Sequence, residues 1–219
     1  HALTVDAAAN LNGGSVTTTG NAQDYRGAVT LGSDTTLTGS AVTFGSTVSG
    51  PHALTVDAAA NLNGGSVTTT GNAQDYRGAV TLGSDTTLTG SAVTFGSTVS
   101  GPRALRVNAK DTIFDGAVGN IAPLASLTTD EGTDHKTAIN GGSIATIGSQ
   151  TYNDAVTLGS ATILTGSAVT FGSTVSGPHA LTVDAAANLN GGSVTTTGNA
   201  QDYRGAVTLG SDTTLTGSA

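Results

Sequence analysis

The densest grouping of proton-transferring and cation-binding side chains in these 219 residues is Asp130, Glu131, Asp134 and His135. Carboxylates gathered in one loop suit a hard cation, but Ca²⁺ takes about six to eight oxygens. The stretch Thr129-Asp130-Glu131-Gly132-Thr133-Asp134-His135-Lys136 matches neither an EF-hand loop nor a Gly-rich calcium repeat. It reads first as a solvated loop and second as an ion, ligand or glycan contact. The other candidate is Asp24-Tyr25-Arg26, which recurs as Asp75-Tyr76-Arg77 and Asp202-Tyr203-Arg204 and stands as Thr151-Tyr152-Asn153 in between. On a strand Asp24 and Arg26 share a face and can pair weakly, and a patch repeated in this way could hold a glycan. Tyr25, the constant member, reads as a corner side chain packing over the core. His1, His52 and His179 recur singly, and a lone imidazole cannot supply the several ligands of zinc. Asn12-Gly13-Gly14 and its copies have the chemistry of a turn.

No catalytic residue, cofactor site or metal site emerges from these groups, and an enzyme is not expected. A formal charge of −8 with only seven Lys and Arg argues against nucleic acid and anionic lipid as partners. There is no Cys, so neither a disulfide framework nor a thiolate metal site is available. No apolar run approaches the roughly 20 residues that cross a bilayer. The sequence opens on a His in mid-pattern without a signal peptide, as an excerpt or a processed segment would.

These groups must be positioned by a repeat. Residues 1–51 return unchanged as 52–102, 103–178 is a longer variant, and 179–219 is a shortened copy. Periods of this size mark architectures in which each unit buries its apolar face only against its neighbours. Within the 51 residues, ALTVDAAANLNGGSVTTTG overlays AVTLGSDTTLTGSAVTFG, which puts coil starts at Ala2, Ala28, Ala53, Ala79, Ala104, Ser126, Ala155, Ala180 and Ala206. The unit is then about 25 residues per coil, with two coils per 51-residue repeat. Alternation sends Val29, Leu31, Val42 and Phe44 inward and Thr30 and Thr43 outward, in short strands separated by Gly-rich turns. The expected fold is all-β, a single-stranded parallel β-helix (β-solenoid) running through 1–219 in nine coils, about 40 Å long at about 4.8 Å per coil. Its core would be two aliphatic columns, one through Leu3, Val29, Leu54 and Val80 and another through Leu11, Leu37, Leu62, Leu88, Ile113 and Ile139. On this stacking Asp6 faces Gly32, and identical charges never meet in adjacent coils. The 103–178 variant takes three coils and throws out a loop at 129–137, leaving the one surface that is not repeated.

The blocks L-T-V, L-N-G-G-S-V-T-T and Y-x-x-A-V-T-L-G-S-x-T-x-L-T-G-S-x-V-T-F resemble the shaft repeats of filamentous-haemagglutinin-like adhesins, bacterial surface proteins of the two-partner-secretion type. The resemblance covers essentially the whole chain. It implies a long right-handed β-helical rod, exported unfolded and working extracellularly at the bacterial surface or in a biofilm matrix. Such a rod would space a binding tip from the cell and meet polysaccharide or a cell-surface receptor. Open apolar ends would favour end-to-end or lateral self-association, as in the interior of a longer fibre. The competing readings are a repeated glycan-binding module, a polysaccharide-active β-helical enzyme and an ice-binding solenoid. The enzyme would need a unique cluster of acids and bases, and the ice-binding solenoid would need unbroken outward Thr columns.

Overall fold

A computed structural model describes residues 1–130, 132 and 134–218. It is an all-β parallel solenoid of about 11 turns, with no helix among the described residues. Each turn has three short sides separated by tight corners, and every side pairs in parallel with the side one turn on. The first set of sides carries one unbroken inward ladder, Leu3, Gln23, Val42, Ala60, Val80, Val99, Val118, Ile144, Leu164, Val183 and Tyr203. A second set runs from Ala9 through Val29, Val48, Val67, Leu88, Val107, Thr129, Tyr152, Phe171 and Leu189 to Leu209. The third begins Val16, Leu37, Val56, Tyr76, Phe95, Phe114, Ile139 and Leu158.

A turn is therefore roughly 19 residues, not 25, and there are eleven turns instead of nine. At about 4.8 Å per turn the rod is about 50 Å long. The physical reason is that the sequence repeats every fourth side while the backbone closes every third. The internal echo of 25 or 26 residues, Leu3 to Val29 to Leu54, steps through four sides, so Leu3, Val29 and Leu54 lie on three different ladders. Val29, Leu54, Val80 and Leu105 do point inward and are buried, but not above one another. Ile113 leaves its expected column altogether, because Thr112 and Phe114 take the inward positions beside it.

The core is one contiguous cluster threading the turns. Aromatic rings stack along it in short runs, Tyr25 on Phe44 at 5.9 Å, Tyr76 on Phe95 on Phe114 at 5.7 and 5.1 Å, and Tyr152 on Phe171 at 5.7 Å. Burying side chains of this size stabilises by about 1.5–3 kcal/mol each, spread over neighbours so that no turn stands alone. Corners stack as closely as sides. A Cβ on Gly27 would lie 2.4 Å from the carbonyl of Ala7 one turn away, and one on Gly78 would lie 2.3 Å from that of Ala58. Gly14 of the Asn-Gly-Gly corner has φ +77°, a left-handed conformation that favours glycine.

Candidate functional site

Tyr25 sits inside the rod, 1% exposed, and so cannot be a face on which a sugar stacks. Its hydroxyl donates to Oε1 of the buried Gln23 at 3.0 Å, and Gln23 Nε2 donates to the carbonyls of Val16 and Thr38 at 3.0 and 2.9 Å. The same clamp recurs at Gln74 with Tyr76 and at Gln150 with Tyr152. Each Gln adds a side-chain donor to carbonyls of the ladder, since Thr38 and Thr165 also accept the amides of Thr18 and Thr146, and the recurrent Tyr hydroxyl is bonded internally through it. Burial pushes the Tyr25 hydroxyl up to about 12, and those of Tyr76 and Tyr152 higher still. Outside, Arg26 Nε donates to Asp24 at 2.9 Å and its Nη1 donates to Asp6 at 2.7 Å, an exposed cluster of weak pairs. Asp6 thus meets Arg26 and not Gly32. Asp24 lies between Thr4 and Thr43 on the neighbouring turns.

Of the four candidates in the 130–136 region, Asp130, Asp134 and His135 lie among the described residues. Asp130 Oδ1 accepts the amide of Ala109 at 3.2 Å, and its Oδ2 lies 3.5 Å from His135 Nδ1. Asp134 takes φ +63° and faces outward with His135 into an open depression of about 460 Å³ lined also by Lys110, Asp111, Lys136 and Ala155. Glu131 lies outside the described residues. No three His, Cys, Asp or Glu side chains among the described residues are placed to hold a metal ion. The recurrent histidines remain apart; His52 Nδ1 approaches Asp34 Oδ1 at 3.5 Å.

The residue that the motif reading passed over is Asp154. It takes the corner position that Gly27, Gly78 and Gly205 hold in the other copies. Beneath those glycines a tight alanine corner leaves no room for a side chain, as a Cβ on Gly205 would lie 2.2 Å from the Ala185 carbonyl. Beneath Asp154 seven residues join Thr129 to Thr137 where three join Tyr152 to Val156 in the turn above. The carboxylate is buried there, 2% exposed, accepting from Thr129 Oγ1 at 2.6 Å and from Thr137 Oγ1 at 2.9 Å. Thr129 and Thr137 are the two stems of the loop, so Asp154 clasps the loop shut from the turn above. Loss of water raises its carboxyl above the ordinary range, the two hydroxyl bonds pull it back, and the charge of Asp130 adds to the rise. Next to it, the Thr112 hydroxyl is buried without a partner. The departure of Tyr152-Asn153-Asp154-Ala155 from the repeated Tyr-Arg-Gly-Ala was the signal in the sequence.

No helix among the described residues is long and apolar enough to cross a membrane. Comparison with protein-family models, curated proteins and solved structures finds no match for this chain.

Proposed function

We propose that this chain is a length of shaft from an extracellular filamentous adhesin or matrix fibre, a spacer that holds a binding surface away from a cell. The observation that carries the reading is the continuity of the stack: the inward ladder from Leu3 to Tyr203 passes through every turn, the variant included, without a break. Repeated polar groups bond within the chain, Gln23 to the carbonyls of Val16 and Thr38, Tyr25 to Gln23 and Arg26 to Asp24, which suits a surface selected for stacking more than for a ligand. Side-by-side or end-to-end association of such rods, and a polysaccharide or cell-surface receptor at the working end, belong to the same proposal.

Chains carrying one, two or four of the 51-residue units, displayed on cells between a fixed anchor and a known binding module, test it. Reach should grow by about 13 Å per unit, from about 4.8 Å per turn, with capture depending on the module. Tight capture of cells or polysaccharide by the shaft without the module would overturn it. That result would favour the second reading, a glycan-binding rod, for which the depression at Lys110, Asp134, His135 and Lys136 is the supporting feature. Ice binding fares worse, because the paired hydroxyl columns do not stay on one face. Ser15 and Thr17 over Thr36 and Thr38 lie on the third set of sides, whereas Ser66 and Thr68 over Thr87 and Thr89 lie on the second.

A further inference from the structure

We infer that the number of repeats in this rod sets a rotation as well as a length, each repeat turning everything beyond it by one side, a third of a turn. Four tyrosines mark the phase. Tyr25 lies on the first set of sides, over Val5 and under Phe44. Tyr76, 51 residues on, lies on the third set, between Val56 and Phe95. Tyr152 lies on the second, between Thr129 and Phe171, and Tyr203 returns to the first, over Val183. Counted along the ladders, a 51-residue repeat fills eight sides, which is two turns and two thirds.

The variant gives an independent check. Tyr76 and Tyr152 are separated by eleven sides, so the longer unit differs from the others by one whole turn of three. The extra residues of 103–178, with the 130–136 loop and the Asp154 clasp, add length and leave the phase step unchanged. An insertion of one or two sides would have made the unit nine or ten sides, three turns or three and a third, and so would have changed the step.

A module joined beyond the repeats therefore faces one of three directions according to copy number, and only a change of three units restores its aim while lengthening the rod. The consequence reaches past the spacer reading, since it fixes which side of the rod a partner must approach. It holds equally for a glycan-binding rod.

Because the chain has no Cys, pairs of spin labels can be placed on it cleanly. One label replaces Thr30, on the second set of sides. The other replaces, in separate proteins, Thr151 on the second set, Thr157 on the third or Ala145 on the first. In the parent chain the Thr30 to Thr151 distance should be the shortest of the three. After deletion of 52–102, which rejoins Pro51 to Arg103 as Pro102 joins it now, Ala145 should come onto the Thr30 face and give the shortest distance. After duplication of 52–102 the shortest should be Thr157. If Thr151 remains closest in either variant, the rotation is wrong. Should the deletion fail to fold, the duplication alone decides, since it adds only contacts already present between 1–51 and 52–102.

Discussion

Asp154 allows a charge and a hydrogen-bonded clasp to be separated in one corner. Asp154→Gly restores what the other copies hold and strips two buried hydroxyls, Thr129 and Thr137, of their acceptor. An orphaned buried hydroxyl costs about 1–3 kcal/mol, so the glycine variant should lose roughly 2–6 kcal/mol of local stability where the carboxyl is neutral. Asp154→Asn keeps an acceptor oxygen and removes the charge. The folded pKa of Asp154 is raised, chiefly by loss of water. Its contribution is therefore fully present below the unfolded carboxylate value of about 3.9 and declines as pH rises through the raised folded value. Hydrogen exchange at the amides of Lys136–Ile139 and Ala155–Leu158, corrected for intrinsic rates at acidic and neutral pH, reads the effect. The parent protein should open more easily at neutral pH than at acidic pH, the asparagine variant should change less, and the parent's advantage over the glycine variant should shrink on going to neutral pH. Asp130 and His135 are common to all three proteins, so the differences isolate Asp154. Equal pH slopes in parent and asparagine variant, or a parent that tightens as pH rises, would refute the clasp as the seat of the shift.

The internal clamp and the corner packing give two further tests. Gln74→Leu leaves the buried hydroxyl of Tyr76 without its acceptor, at about 1–3 kcal/mol, and removes a side-chain donor from the carbonyls of Val67 and Thr89; a fall in the urea midpoint is expected, partly reversed by adding Tyr76→Phe, and no reversal would count against the clamp. Gly78→Ala places a Cβ 2.3 Å from the Ala58 carbonyl, while Gly13→Ala meets nothing within 4 Å, so thermal unfolding followed by circular dichroism should show the first strongly destabilised and the second nearly unchanged.

Which side chains face inward was legible from alternation alone, as Val29, Leu31, Val42 and Phe44 show. The turn was not legible, because sequence self-similarity measures the distance between equivalent sides and says nothing of how many sides close the ring. Four short sides with branched aliphatics would enclose more space than their side chains fill, whereas three bring Leu37, Val42 and Val48 together at near-zero exposure. Tyr25 reads from its constancy as packing over the core, and the structure buries it; its alternative as a glycan contact stays open because its partner Gln23 reads as a surface residue until the carbonyls it serves are seen. Asp154 escaped notice for a related reason: a single Gly-to-Asp change at a corner acquires meaning only when Thr129 and Thr137 are known to meet it from the turn beneath.

Identical tandem units carry a hazard that this geometry removes. If a repeat filled a whole number of turns, every outward Asp would recur on one face at the repeat spacing, and a one-repeat unit of a single turn would stack like on like at about 4.8 Å. Eight sides wound three to a turn share no common factor, so a residue meets its own copy on the same face only after three standard repeats, eight turns and about 38 Å away, several times the roughly 8–10 Å Debye length. Asp24 accordingly lies between Thr4 and Thr43, and Asp75 between Thr55 and Thr94. The separation of like charges that the sequence suggested is real, but its cause is the mismatch of eight with three and not a doubled coil. The same mismatch lets one repeated sequence build all three faces of the rod, because every side must stack in turn on each of the others' neighbours, and this explains why each strand keeps the same short, small-residue pattern.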